Sequence, residues 1–307
     1  MRASALHAAA MDIPDPDQFE LADGRRVDVY LAGPDDGVLL ISHHGTPASG
    51  IPVSSFVQAA AERGLRWVSY SRPGYGDSGR LADRTVADCA EDVVAIADHL
   101  GAERFFTIGA SGGGPHTLAC AARLPERVLG CAAIACPAPW GAEGLDWLAG
   151  QGPENIAEWE ATLAGPTELE RFLAKEAGSV GAATSPQDLI DAIGGLLPDV
   201  DRAALTGAFA DTLLASGRRA VSNGIWGWFD DDFAFTRDWG FALSEIAVPV
   251  ALWQGGEDRM VPFAHGEWLS AHVAGVRAHL TDGDGHLSLA VSSLPKILDD
   301  LLEHATR

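Results

Sequence analysis

The feature that most constrains this chain is an alternation. Short, largely apolar runs recur between segments of helical periodicity. Gly37 to Ser42 (GVLLIS), Leu65 to Tyr70, Arg104 to Ile108 and Val128 to Ala135 read as strands. Val53 to Arg63, Thr85 to Leu100 and Gly112 to Leu124 read as helices between them. A strand wetted on one face alternates apolar and polar residues, whereas a strand apolar along its length is covered on both faces. Strands of that kind separated by helices predict a parallel sheet with helices on both sides.

Local signals support the assignment. Thr85 with Asp88 three residues on has the form of a capping box. Val86, Cys89, Val93, Ile96, Ala97 and Leu100 then share one face, and Gly101 is a stop. Ahead of the alternation, Phe19 to Ala22 and Arg26 to Leu31 flank Asp23-Gly24, which predicts an antiparallel hairpin at the sheet edge.

From about Pro137 to Ser244 the alternation stops. This stretch is mostly helical, with breaks at Gly152-Pro153, Gly165-Pro166, Ser185-Pro186 and Pro198. Strand and helix then resume: Pro249 to Gly255, Ala264 to Val273, Val276 to Leu280, and a last helix over Leu287 to His304. The expected fold class is α/β, a mostly parallel eight-stranded sheet with an N-terminal antiparallel hairpin and an inserted helical lid. The expected organisation is a core from residues 1–136 and 245–307, with residues 137–244 as the inserted cap. Insertions on the C-terminal edge of a parallel sheet lie over the ligand crevice.

Gly109-Ala110-Ser111-Gly112-Gly113 has the pattern G-x-S-x-G, with a predicted strand before it and a helix after it. A serine on such a tight strand-to-helix turn presents its hydroxyl above the sheet edge, and the helix N-terminus beneath supplies free N–H groups. A serine hydroxyl is a weak nucleophile until a base takes its proton. Of the ten histidines, His286 lies in the polar loop Asp284-Gly285-His286, directly after a predicted strand. Asp258, with Glu257 as its local competitor, follows the strand at Pro249 to Gly255. The step from Asp258 to His286 is long enough for one loop, one helix and one strand, so both loops open on one sheet edge. Ser111, Asp258, His286 is a nucleophile–acid–base order known on such sheets. The separation from Ser111 to Asp258 exceeds a minimal helix–strand–helix–strand path by roughly 100 residues, which the helical insertion supplies.

An acyl-transfer site also needs donors for an oxyanion. His43-His44-Gly45-Thr46-Pro47 follows the first parallel strand. Its Thr46 N–H, with the Gly112 N–H, is the expected donor pair, and His44 is a candidate substrate contact. Six of the nine tryptophans fall in the insertion, and Trp140 is the candidate pocket wall. Most of the others are expected to build the insertion's own core. The run Asp230-Asp231-Asp232 reads as a solvated cap or turn, without the spaced ligands of a calcium loop.

These motifs resemble those of α/β-hydrolase-fold serine hydrolases, in the lidded branch that includes esterases and proline iminopeptidases. The resemblance runs over nearly all of residues 19 to 305. It is carried by HGTP (His44 to Pro47), RPGYGDS (Arg72 to Ser78), GASGG (Gly109 to Gly113), GGEDRMVP (Gly255 to Pro262) and GDGH (Gly283 to His286). It implies Ser111 as nucleophile, His286 as base, Asp258 as acid, and the Thr46 and Gly112 N–H groups as oxyanion hole. Ser71 stands where many relatives carry Asp. Gly112 stands where proline iminopeptidases typically carry Trp. Epoxide hydrolases and haloalkane dehalogenases use an Asp nucleophile, against which Ser111 argues.

The expected activity is hydrolysis of a carboxylic ester of a small to medium, largely apolar substrate through an acyl-enzyme. The same triad also serves amide (iminopeptidase-like), thioester or carbon–carbon bond hydrolysis, and a more distant alternative is a non-catalytic small-molecule receptor. No cofactor and no metal are expected. The net charge of −22 disfavours nucleic acid and anionic membrane surfaces as partners. The expected partner is a small-molecule substrate, and the expected state is a monomer or homodimer. Residues 1–10 are too weakly apolar for a secretory signal and read as a frayed tail, with Met11 an alternative start. The four cysteines lie in Ala-rich apolar stretches and read as reduced core residues of a cytoplasmic enzyme.

Overall fold

The computed structural model describes residues 15–305, so the reading of residues 1–10 lies outside the described residues. Eight strands form one sheet: β1 (Asp17–Glu20), β2 (Arg26–Ala32), β3 (Val38–His43), β4 (Leu65–Tyr70), β5 (Phe105–Ala110), β6 (Val128–Ile134), β7 (Val250–Gly255) and β8 (Arg277–Thr281). Their order is β1-β2-β4-β3-β5-β6-β7-β8. β1–β2 and β2–β4 pair antiparallel, and every later pair is parallel.

The apolar strands divide their residues between two faces. Leu39 and Ile41 of β3, Val68 and Tyr70 of β4, and Val250 and Leu252 of β7 join one core with helix α2 (Cys89–His99) and helix α3 (Gly113–Arg123). Leu40, Leu65, Trp67, Ala251 and Trp253 point the other way. They pack on helix α1 (Ser54–Ala61) and the last helix, α11 (His286–Ala305). This two-sided burial is the physical reason for the near-continuous apolar runs. The four cysteines are buried free thiols.

Most boundaries lie within one or two residues of the sequence reading, and two of the differences have a clear physical reason or consequence. The helix expected from Thr85 begins at Cys89. Thr85 does bond Asp88, but through its N–H at 2.6 Å and its hydroxyl at 3.1 Å, both donated to the Asp88 carboxylate. The Ala87 N–H is drawn away to the Trp239 carbonyl at 2.9 Å. Together these make a turn ahead of the helix. At the other end, His286 is the first residue of α11 rather than a loop residue.

Between β6 and β7 run α4 (Pro153–Ala164), α5 (Pro166–Ala182), α6 (Pro186–Ile193), α7 (Asp199–Ala204), α8 (Gly207–Ala220) and α9 (Trp226–Thr236). The prolines that break the sequence pattern open α4, α5 and α6, where a missing N–H costs nothing. Ser185 closes a capping box with Asp188. Helix α10 (Phe263–His272) lies between β7 and β8. No helix among the described residues is long and apolar enough to cross a membrane.

The chain leaves β3 outward to β4 and returns to β5 on the other side of β3. Connections from adjacent strands therefore diverge at the β3–β5 boundary. A crevice opens there at the C-terminal strand ends, the general ligand position of such sheets.

Candidate active site

Ser111 sits on that crevice, between β5 and α3. Its φ of 56° lies in the left-handed region that a residue with a side chain enters only at a cost. The turn is held by the Ser111 N–H donating to the Ile134 carbonyl at 2.9 Å and the Gly114 N–H donating to the Ser111 carbonyl at 2.8 Å. The flanking glycines answer a steric demand. A Cβ on Gly109 would lie 2.3 Å from the Gly113 carbonyl oxygen, and one on Gly113 would lie 2.1 Å from that of His43.

His286 and Asp258 meet across the β7 and β8 loops. The His286 Nδ1 lies 2.8 Å from Asp258 Oδ2. The Asp258 carboxylate is itself fixed: Oδ1 accepts the Met260 and Val261 N–H groups, each at 2.8 Å, and Oδ2 accepts Gln254 Nε2 at 3.1 Å. Both residues are buried. Burial opposes protonation of the His286 ring. The Asp258 charge and hydrogen bond, with the Asp201 charge, outweigh it and hold the imidazole above its ordinary value.

Thr46 comes up against Gly112: a Cβ on Gly112 would lie 2.4 Å from Thr46 Oγ1. The Thr46 hydroxyl donates to Asp231 Oδ2 at 2.7 Å and accepts from Arg72 Nη2 at 2.9 Å. Arg72 also donates to the carbonyls of His44 and Gly45. His44 lines the cavity, but both its ring nitrogens are committed. Nδ1 is 2.7 Å from the Gly45 carbonyl, and Nε2 accepts the Arg72 N–H at 3.0 Å. Burial, then the Arg72 charge, keeps this imidazole neutral, well below its ordinary value.

The run Asp230-Asp231-Asp232 is not solvated. It lies inside α9 and is buried throughout. Asp231 accepts from Arg72 Nη2 at 2.6 Å, Arg84 Nη1 at 2.6 Å and the Tyr75 hydroxyl at 2.8 Å, besides Thr46. Burial resists its ionisation, yet the two guanidinium groups hold its carboxyl well below the ordinary range. Asp230 pairs with Arg80 at 2.8 Å. Asp232 is raised well above the ordinary range by burial, then by the charges of Glu158 and Asp231. Burial likewise raises Glu158, which accepts the Trp228 indole N–H at 2.6 Å. The sequence alone carried one usable signal, three consecutive acids directly after an aromatic run. A sequence read for motifs gives no reason to pair them with Arg72 and Arg84.

Ser111, His286, His44 and Thr46 line one cavity of about 390 Å³. Phe56, Phe172, Phe209, Trp228 and Met260 give it an apolar wall, and Glu154, Glu158 and Glu176 also face it. No Lys or Arg is among the described residues that line it. Trp140 does not line this cavity, whose tryptophans are Trp67 and Trp228. Trp140 packs on Trp147 at 4.9 Å and borders a separate surface cleft with Trp239 and Trp268. The segment after β6 is drawn toward α10 because the Ala138 N–H donates to His265 Nδ1 at 3.1 Å and Trp268 Nε1 donates to the Glu143 carbonyl. Among the described residues no group of three His, Cys, Asp or Glu side chains could hold a metal ion.

Comparison with known proteins adds the family. A model of the alpha/beta hydrolase fold matches residues 38–292. Epoxide hydrolase B of Mycobacterium tuberculosis is 29% identical over 150 residues, which span 47% of this chain and 42% of that relative. A bifunctional esterase/perhydrolase of Acinetobacter calcoaceticus is 25% identical over 241 residues, 77% of this chain and 81% of the relative. A hydrolase from Pseudomonas aeruginosa shares the fold, with a TM-score of 0.66 and 21% identity over 96% of this chain and 99% of that one. The chain therefore belongs to the alpha/beta hydrolase fold family.

Proposed function

We propose that this protein is a serine esterase, with residues 137–244 as a cap over the site. The observation that carries the reading is the buried His286–Asp258 pair opening on the same cavity as Ser111, whose backbone is held at positive φ. In this reading His286 Nε2 takes the Ser111 proton as Oγ attacks the ester carbonyl. The Thr46 and Gly112 N–H groups receive the oxyanion. Asp258 holds the proton on Nδ1, leaving Nε2 free as the base, and its charge stabilises the imidazolium that forms. The leaving alcohol takes the proton from Nε2. Water, deprotonated by the same nitrogen, then releases the acid from Ser111.

The lining sets the substrate class. An apolar wall favours an apolar acyl or alkyl group. Three carboxyl groups and no lining cation disfavour substrates that carry a carboxylate or phosphate. The match to an epoxide hydrolase covers less than half of that relative, and the Asp nucleophile of such enzymes has Ser111 in its place here.

The test is labelling with a fluorophosphonate, followed by a panel of neutral p-nitrophenyl esters, a dicarboxylic half-ester, an anilide and a thioester. Label on Ser111 with turnover of the neutral esters, and loss of both in Ser111→Ala, is the expected result. Ester turnover that survives in Ser111→Ala overturns it.

A further inference from the structure

His286 is the first residue of a twenty-residue helix. That is an awkward place for a base that must become a cation. A helix N-terminus carries roughly half a positive charge and leaves N–H groups without helical partners. Both facts oppose an imidazolium there.

The structure meets both with one side chain from another part of the chain. Asp201 of α7 is fully buried against the start of α11. Its Oδ2 accepts the His286 N–H at 2.9 Å. Its Oδ1 accepts the Leu287 N–H at 3.0 Å, the Ser288 N–H at 2.8 Å and the Ser288 hydroxyl at 2.8 Å. A Cβ on Gly285 would lie 2.5 Å from Asp201 Oδ1, so glycine there is what admits the carboxylate. Leu287 packs beside the apolar cluster of Leu197, Leu205 and Ala210, which seats α7 on α11.

We propose that Asp201 is a positioning residue for His286: the cap segment supplies the carboxylate that fixes the base's backbone and offsets the helix charge beneath it. The inference rests on His286 acting as the base. Asp201 touches neither substrate nor the reacting atoms in this account. It acts through the four bonds to residues 286–288. A further consequence is that displacement of α7 from α11 would disable the base.

The charged groups around His286 are few. Asp258 faces its Nδ1 from the β7 loop, and Asp201 faces its backbone from α7. Asp284, in its own loop, receives the Ser292 hydroxyl at 3.0 Å. Glu154, Glu158, Glu176 and His44 share the cavity, as does Ser111. Asp201 is the carboxylate among them bonded to the helix start.

The experiment is an NMR titration of His286 in the intact protein, which does not depend on turnover, alongside the pH profile of kcat/KM. In Asp201→Asn the charge is gone while an acceptor remains. The His286 titration and the acid limb are expected to move together to lower pH by at least half a unit, with kcat down at least about fivefold and KM within twofold. Gly285→Ala, which denies the carboxylate its seat, is expected to shift both in the same direction. Asp199→Asn, on the exposed side of α7, is expected to change neither. A His286 titration unmoved in Asp201→Asn overturns the proposal, even if kcat falls, because a loss of helix capping alone would lower activity without moving it. A wild-type His286 that titrates below an ordinary imidazole overturns it as well. A protein that shows the titration shift but hydrolyses no ester would instead sink the esterase reading.

Discussion

The Thr46 hydroxyl donates to Asp231 at 2.7 Å, across 185 residues of chain. Thr46 belongs to the loop after β3, and Asp231 to the helix α9 of the insertion. Arg72 closes the figure: it pairs with Asp231 at 2.6 Å and donates to the carbonyls of His44 and Gly45. A loop that must aim an N–H into the cavity has its carbonyls held on the opposite side. The insertion thus braces the expected oxyanion loop from behind.

Removing the Thr46 hydroxyl tests this brace without stranding a charge. Thr46→Val keeps the shape and leaves Asp231 paired with Arg72, Arg84 and Tyr75. A lost hydrogen bond to a charged group is worth about 1.5–3 kcal/mol. If about half of that falls on the oxyanion loop, kcat drops by about three- to tenfold, with KM little changed. Steady-state kinetics on a neutral ester measures it. Asp231→Ala, by contrast, leaves two buried guanidinium groups uncompensated and is expected to cost about 3–5 kcal/mol, read as a lower Tm.

The site should show a distinct pH signature. His286 must be neutral to accept the Ser111 proton, and its pKa is raised by Asp258 and Asp201 against the effect of burial. Activity is therefore expected to fall as pH drops, with the midpoint of kcat/KM above the ordinary imidazole value of about 6.5. Asp258→Asn removes the largest raising influence. It should move that limb to lower pH while cutting kcat by about 10³- to 10⁴-fold.

The buried acid Asp232 predicts a stability change of a defined sign. Its carboxyl is held protonated by burial and by the Glu158 and Asp231 charges. A carboxyl raised in the folded state contributes fully below its unfolded value of about 3.9, and that contribution is lost as pH rises toward the folded value. Asp232→Asn cannot ionise in either state. Its Tm relative to wild type is expected to improve from pH 4 to pH 8, as thermal melts at the two pH values would show. A difference that is flat or declines with pH would count against a protonated Asp232.

The turn at Ser111 gives a steric prediction. Gly109→Ala places a Cβ 2.3 Å from the Gly113 carbonyl oxygen and 2.4 Å from Thr117 Oγ1. Both neighbours are buried backbone or helix side chain with nowhere to yield. Destabilisation of about 1–3 kcal/mol is expected, measured by urea denaturation, with fluorophosphonate labelling of Ser111 slowed in the fraction that folds.

The sequence carried the sheet well because its evidence is local. A strand covered on both faces must be apolar along its length, and β3, β4, β5, β6 and β7 are each legible on that ground alone. The turn at Ser111 is similar: strand, small residues and helix sit within a few positions of one another. The pairing of His286 with Asp258 was a step removed, but loop positions on one sheet edge follow from the element order. The reading failed where charge met burial. Asp230 to Asp232 looked like a solvated run because charge ordinarily seeks water. The partners of Asp230 and Asp231, namely Arg72, Arg80 and Arg84, lie about 150 residues earlier, and no local pattern announces them.

Trp140 failed for a related reason. Its distance along the chain from β6 was short, but the hydrogen bonds of His265 and Trp268 turn the segment toward α10. Asp201 carried no motif at all. What the sequence by itself determined is the α/β alternation, the tight turn at Ser111 and the candidate triad, since steric and hydrophobic demands act between near neighbours. Only the tertiary structure decided which acids stay buried and what they hold. The insertion's carboxylates reach Thr46 and His286 through space, and a buried charge is stable only beside partners that folding brings to it.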